Sequence, residues 1–299
     1  MPPWAAEIEV DEALARTLIR DSYPQLETRS LELLGIGWDN TVWATEDGIA
    51  FRFPRRKIAL AGITREMALL PQIAPRVPCA IPDAAYPGAP SSIFPWPWFG
   101  SLVIEGREVA EYGLDDLARI RLANDLGTFL RCLHRLSFPG CDELPLDPMG
   151  RADMAVRVPR TRTALDELDR SGAMRDRAGE ILIEAERLPT VEESVFVHGD
   201  LHLRHALIDA AGRLSGAIDW GDMCRAPAAV DLSLYWSLFP PAVREVFRGA
   251  YGTMSEATLL RARVLALFLG ATLAVYARGQ GIRGLEAEAL SGVERTLDG

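Results

Sequence analysis

The segment Val195–Asp222, VFVHGDLHLRHALIDAAGRLSGAIDWGD, holds the residues best suited to chemistry. Asp200 and Asp219 each follow a run of aliphatic and β-branched residues, the position where a strand end presents a carboxylate to a ligand. His198, His202 and His205, three of the chain's four histidines, crowd around the first of them. Phosphoryl transfer to an alcohol needs a carboxylate that orients the hydroxyl and accepts its proton. It also needs oxygen ligands for the Mg²⁺ that bridges nucleotide phosphates. Asp200 is placed for the first task and Asp219 for the second.

The spacing follows a known arrangement. Position 205 lies five residues after Asp200, and Asp219 lies nineteen after it in an Asp-x-Gly turn, Asp219-Trp220-Gly221. Protein kinases place their second metal ligand and their main metal-binding Asp in this order. The run His198-Gly199-Asp200-Leu201-His202, then Asp209, Ile218-Asp219-Trp220-Gly221-Asp222 and Pro227-Ala228-Ala229-Val230-Asp231-Leu232, resembles the aminoglycoside phosphotransferase family, including its macrolide phosphotransferase branch. Gly37-Trp38-Asp39-Asn40, Phe51-Arg52-Phe53-Pro54 and Pro95-Trp96-Pro97-Trp98 extend the resemblance over roughly residues 30–280. It implies an α+β, two-lobed protein-kinase-like fold, with a small antiparallel-sheet lobe (1–105) and a larger helical lobe (106–299). It further implies a small-molecule kinase using Mg²⁺ and ATP or GTP, with a hydroxyl of an aminoglycoside or macrolide antibiotic as acceptor.

The resemblance assigns roles by position. Asp200 is the base, and His205 and Asp219 are the metal ligands. The family usually carries Asn where His205 stands, although its macrolide and aminoglycoside 2″-kinases carry His. Arg52, paired with Glu66, stands where the fold usually has Lys on the α- and β-phosphates; Arg55 and Lys57 are the alternatives. His202 stands at a γ-phosphate contact. Gly35 and Gly37 are a weak phosphate-loop signal, with no Walker sequence. Leu102, Val103 and Ile104 form the segment expected to read the purine through its backbone. Asp222 serves the metal or holds its loop, and Asp231 is the expected buried partner of His198. His134 reads as structural.

The elements that must position these residues are legible from periodicity. Asp11 caps a helix to about Ser22. Strands Ser30–Leu34, Thr41–Thr45 and Ile49–Phe53 follow, the last two joined by the Asp47-Gly48 turn. A helix is predicted at Ile63–Ile73, a proline-rich stretch over Pro75–Pro97 with Trp96, Trp98 and Phe99 as an apolar wall, and a strand at Ser101–Ile104. Helices are predicted at Asp115–Leu136, Asp153–Ser171, Arg175–Arg187, Ala228–Leu238, Ala242–Tyr251, Glu256–Tyr276 and Leu285–Leu297. The natural joint is near Glu105–Glu111.

Composition narrows the function classes. A formal charge of −10 argues against binding nucleic acid by phosphate neutralisation. The acidic residues Asp153, Asp166, Glu167, Asp169, Asp176 and Glu180 lie where the family's substrate-binding insert falls and leave room for a cationic acceptor. Cys79, Cys132, Cys141 and Cys224 fit free thiols in a reducing cytoplasm. The N-terminal MPPWAAEIEVDE has no apolar core of a signal peptide, and Val264–Tyr276 reads as too short to span a bilayer. The partners expected are a nucleoside triphosphate and a small hydroxyl compound, with no nucleic acid and no membrane. Three rival readings stay open: a kinase of a metabolic alcohol, such as an amino sugar or a choline-like compound; a nucleotide-binding pseudokinase, since Arg52 and His205 replace standard residues; and a zinc hydrolase built on His198, His202 and Asp200.

Overall fold

Asp11 accepts the Leu14 N–H (2.8 Å) and starts a helix over Glu12–Ser22. That capping bond replaces one of the backbone partners a helix N-terminus lacks. This helix opens a computed structural model that describes residues 6–191 and 193–299. Residues 1–5 of the segment read for a targeting signal lie outside the described residues. The chain divides into two units, Met1–Arg76 with Ala80–Ile104, and Val77–Cys79 with Glu105–Gly299.

The first unit is an antiparallel five-stranded sheet in the order Leu31–Ile36, Asn40–Thr45, Ile49–Pro54, Trp98–Leu102, Tyr86–Gly88. Gly48, at φ 73°, supplies the left-handed residue that the hairpin between the second and third strands needs. Strand alternation sorts the third strand: Ile49, Phe51 and Phe53 are buried in an apolar cluster with Leu18, Ile19, Phe94 and Trp98. Phe51 meets Tyr23, Phe53, Tyr86 and Trp98 at ring separations of 5.6–6.5 Å. Arg52 faces the other way. The helix Leu60–Ile73 buries Ile63, Glu66, Leu69, Leu70 and Ile73, so Glu66 lies within its apolar stripe.

Three sequence expectations change in this unit. The strand expected at Ser101–Ile104 is Trp98–Leu102, because Trp98 and Phe99 are sheet residues packed in the core. The helix begins at Leu60, not Ile63. The first strand runs on to Ile36 through an irregularity between Leu33 and Gly35, so Gly35 is a strand residue and not part of a loop.

The second unit is mostly helical. The helix Asp116–Leu133, capped by Asp115, buries Leu122, Leu126, Phe129, Leu130 and Leu133 and packs against Pro241–Tyr251. The helix Glu256–Gln280, capped by Ser255 and closed at Gly281, packs against Met154–Leu168 and Arg283–Leu297. It is longer than expected, and by length and composition alone it could cross a membrane. Leu259, Val264, Leu267 and even Arg261 are buried in the protein interior, as in a core helix. The helix expected over Arg175–Arg187 breaks at Ala178 into Ala173–Arg177 and Gly179–Glu186. That expected over Ala228–Leu238 becomes a 3₁₀ turn, Ala228–Val230, and a short helix, Ser233–Ser237.

Two small sheets interrupt the helices. Val195–Val197 pairs with Cys224–Ala226, and Ala206–Ile208 lies between Arg107–Glu108 and Leu214–Ala217, all antiparallel. The loops 198–205 and 218–223 that connect them carry the histidines and carboxylates.

Truncating a fully buried Phe typically destabilises by about 3–5 kcal/mol through lost transfer energy and the cavity left behind. Phe51→Ala is expected to lose stability on this scale, read as a lowered urea midpoint at unchanged m-value.

Candidate active site

The carboxylate of Asp231 is the anchor of the catalytic loop. It is fully buried and accepts the backbone N–H groups of His198 (2.7 Å) and Gly199 (3.0 Å). His134 Nε2 lies 3.2 Å from it, and His134 Nδ1 lies 2.8 Å from the Tyr251 hydroxyl. Burial alone would raise the Asp231 carboxyl. Its hydrogen bonds to His134 and Gly199, with the nearby imidazoles, hold it below the usual range. The sequence reading paired Asp231 with His198; the contact is to the His198 main chain rather than its ring. His134 is structural, as read.

The His198 ring has a different task. Its Nε2 is 3.0 Å from the Ile218 carbonyl, which can only accept, so Nε2 carries the proton. Nδ1 then accepts the Asp200 N–H at 3.3 Å. One neutral imidazole therefore joins the residue before Asp219 to Asp200. Burial pushes its pKa down to about 4, in keeping with a neutral ring. With both nitrogens engaged and the side chain fully buried, His198 cannot be a zinc ligand, which removes the donor set of the hydrolase reading.

Gly199 shows how tightly the two loops are joined. Its φ is 91°, and a Cβ there would fall 2.2 Å from the Asp222 carbonyl oxygen. Only glycine permits that backbone approach. The Ile218 N–H donates to the His205 carbonyl (2.9 Å) and closes the pair of loops. Asp219 itself stands at φ 66°, a left-handed conformation rare for residues other than glycine.

His205 Nδ1 is 2.7 Å from the Asp200 carbonyl oxygen and so donates to it. Its Nε2 lone pair lies 3.5 Å from Asp219 Oδ2. These two donors, one imidazole nitrogen and one carboxylate, stand at a separation that two neighbouring ligands of one ion can close. The set suits Mg²⁺ or Mn²⁺ when the remaining positions are filled by phosphate oxygens and water. The His202 ring is stacked on His205 with centroids 3.8 Å apart, and its Nε2 is 3.7 Å from Asp200 Oδ2. Candidate ligand atoms of Asp200, His202 and His205 lie within 4.8 Å of one another.

Arg151 was not singled out in the sequence. Its guanidinium Nη2 bonds Asp222 Oδ2 at 2.6 Å and stands 3.9 Å from Asp200 Oδ1. Asp222 is thus engaged by Arg151. Burial raises the Asp200 carboxyl to about 6, against the opposing pull of His205 and Arg151.

In the first unit, Arg52 Nη1 lies 3.2 Å from Glu66 Oε1, with Glu66 1% exposed, so this is no ordinary surface pair. Arg55 is engaged by the Gly37 carbonyl (2.7 Å), and Lys57 lies beyond the strand in a 3₁₀ turn. Gly37 begins the turn before the second strand, its N–H donating to the Asn40 carbonyl at 2.8 Å. Leu102 ends its strand, while Val103 and Ile104 follow it. The Val103 N–H already donates to the Gly48 carbonyl, also at 2.8 Å, so that one donor is taken.

The sign of the pH dependence follows from His198 and His202, both lowered by burial, and from Asp231. Asp200, raised to about 6, opposes the two histidines as it takes up a proton in the fold. A histidine whose folded pKa is depressed leaves the unfolded chain binding more protons below about 6.5, so stability falls as pH drops from there toward 4. Asp231, lowered in the fold, adds a loss at still lower pH. The unfolding midpoint is expected to fall between pH 7 and pH 5, measured by thermal denaturation, and the fall should shrink in His198→Gln. An equal pH slope in both forms would contradict the neutral bridging role.

A sequence profile of the phosphotransferase enzyme family matches residues 30–265, well over half of the chain. Among solved structures, the chain is similar to the GDP complex of wild-type aminoglycoside 2'-phosphotransferase-IIIa, with a TM-score of 0.71 and 20% identity, covering 97% of this chain and 99% of that one. It is also similar to apo macrolide 2'-phosphotransferase MphH from Brachybacterium faecium, with a TM-score of 0.63 and 24% identity, covering 94% and 97%. A shorter match is to the uncharacterized protein YcbJ of Bacillus subtilis strain 168, 46% identical over 46 residues and spanning 15% of each chain. The structural likenesses establish the two-lobed, kinase-like α+β fold, and on the span of the profile match the chain belongs to the phosphotransferase enzyme family.

Proposed function

We propose that the protein transfers the γ-phosphoryl group of a nucleoside triphosphate, ATP or GTP, to a hydroxyl group of a small organic acceptor. The observation that carries this reading is the bridging of the Asp200 and Asp219 loops by the neutral ring of His198. It holds a proton acceptor and a metal-binding carboxylate in fixed register. Asp200 accepts the acceptor's hydroxyl proton as the oxygen attacks the γ-phosphorus. The bond from that phosphorus to the bridging oxygen breaks, and the nucleoside diphosphate leaves. At neutral pH a carboxyl near 6 is ionised yet basic enough to take the proton. His205 Nε2 and Asp219 would hold Mg²⁺, which would neutralise charge on the phosphates. Arg52, braced by Glu66, is assigned to the nucleotide phosphates, where its fork of donors serves in place of the usual Lys.

Among acceptors, the antibiotic classes named for the structural neighbours, aminoglycosides and macrolides, are the first to screen. A metabolic alcohol is the second reading. A reaction drawing on nucleoside triphosphate supports a cytoplasmic location.

Asp200→Asn should lower turnover on the order of 10²–10⁴-fold while Mg-nucleotide affinity, read by calorimetry, stays near wild type. Turnover within a few-fold of wild type would remove Asp200 from the role of base. A protein that binds nucleotide but shows no acceptor-independent hydrolysis and no transfer would instead be a pseudokinase. His205→Asn should keep more activity than His205→Ala, because Asn retains an oxygen ligand, and wild type should tolerate Mn²⁺. Equal turnover of wild type and His205→Ala in both metals would show that His205 only supports the loop.

A further inference from the structure

Four of the six acidic residues that suggested a cationic acceptor are engaged elsewhere. Asp153 caps the helix Met154–Leu168 by accepting the Ala155 N–H (2.9 Å). Asp166 pairs with Arg175 (2.8 Å), Asp176 meets the same guanidinium, and Asp169 binds the turn at Ser171. The segment leading into the helix, and its first half, are basic instead: Arg151, Arg157, Arg160 and Arg162 against Asp153 alone. Arg162 is paired with Glu186, and Arg160 is exposed.

Arg157 is different from these. It is only 4% exposed, and its guanidinium lies 4.4 Å over the Phe268 ring. Among the described residues no hydrogen bond or ion pair reaches that guanidinium, and its buried Nε has no partner. A charge taken out of water without a counter-ion is strongly unfavourable, and cation–π contact returns only part of the loss. Burial accordingly draws Arg157 down to about 10, with Arg151 adding to the effect and Asp147 and Asp200 opposing it. The contact with the Asp200 carboxylate itself is made by Arg151, whose Nη2 stands 3.9 Å from Oδ1.

Arg151 is held in place beside it. The Asp147 carboxylate accepts the N–H groups of Arg151 (2.8 Å) and Ala152 (2.9 Å). The Asp147 N–H donates to the Arg225 carbonyl at 2.9 Å, on a strand paired with the one that enters the catalytic loop. One Arg151 nitrogen, Nη1, is buried without a partner.

We propose that Arg157, with Arg151 beside it, forms an anion-binding pair on the acceptor side of Asp200, and that the acceptor is a hydroxyl compound bearing a carboxylate or phosphate group. The proposal rests on the phosphotransfer reading above, because that reading makes the surroundings of Asp200 the acceptor's place. A guanidinium recognises either oxyanion through the same planar fork of donors. A polycationic aminoglycoside would place like charges together at this point.

The test uses the full-length protein saturated with Mg²⁺ and a non-hydrolysable triphosphate analogue, so that the nucleotide subsite is filled. Inorganic phosphate, gluconate and glucose 6-phosphate are titrated calorimetrically against glucose, glucosamine and kanamycin. Phosphate and at least one of the two sugar acids should bind better than glucose, glucosamine and kanamycin. Arg157→Met and Arg157→Gln should weaken that binding at least tenfold while analogue affinity stays unchanged, and Arg157→Lys should keep part of it. Arg157→Met should unfold at or above the wild-type temperature, since a buried unpaired charge is removed and the linear side chain still covers Phe268. Absence of anion binding, equal anion binding by wild type and Arg157→Met, or tighter binding of kanamycin than of every anion would overturn the proposal. So would a loss of analogue affinity in the Arg157 variants, because it would assign the charge to the nucleotide. The two readings fail separately: a wild-type protein that does not bind the Mg-nucleotide analogue refutes the phosphotransfer reading, whereas the loaded protein ignoring anions refutes this one.

Discussion

A buried carboxylate that accepts main-chain N–H groups underlies the candidate site. Asp231 collects the N–H groups of His198 and Gly199 just where the strand Val195–Val197 ends and the chain must turn. Backbone donors at a buried turn would otherwise be left unsatisfied, at a penalty of roughly 1–3 kcal/mol each. Asp231 meets both, and His134 with Tyr251 completes its own surroundings. The break in the expected helix Ala228–Leu238 belongs to the same arrangement. A 3₁₀ turn at Ala228–Val230 delivers the carboxylate, and the short helix follows it.

On that anchor, two imidazoles orient the chemistry through main-chain carbonyls. His198 reads the Ile218 carbonyl and His205 reads the Asp200 carbonyl, so each ring's tautomer is set by an oxygen that cannot donate. The outcome is directional: the free edge of His205 turns toward Asp219. The left-handed conformation of Asp219 and the glycine-only approach at position 199 are local strains that this network sustains.

Much of this was legible in the sequence because it is local. Asp47-Gly48 marks a hairpin by turn chemistry, and Ile49, Phe51 and Phe53 alternate as a half-buried strand must. Arg52 and Glu66 were matched by position through the family resemblance; strand alternation turns Arg52 away from the aromatic cluster, and Glu66 lies in the buried stripe of its helix. The catalytic segment was readable from residue types at fixed spacing. What escaped was the chemistry made by distant segments. Nothing near Arg151 in sequence points to Asp222, 71 positions away. The burial of Arg157 depends on Phe268, from a helix whose apolar length was itself underestimated. The same holds for four acidic residues of the insert: a count of charges does not reveal that Asp153 caps a helix, that Asp166 and Asp176 pair with Arg175, or that Asp169 binds a turn.

The arginine on Phe268 separates two kinds of change that evolution could make. The residues assigned to proton transfer and metal binding sit on loops whose backbones are mutually constrained, where nearly any substitution disturbs geometry. Arg157 hangs from another segment and rests on the side chain of a core helix, with no hydrogen bond tying it to either loop. If Arg157 reads the acceptor as proposed, a single replacement there would retune what the protein accepts without disturbing how it reacts. Since a lone interior charge weakens a fold, variants that abandon it gain robustness at once, which leaves them free to drift toward new acceptors. Related proteins with the same catalytic loops should therefore differ most at this arginine and at the aromatic beneath it.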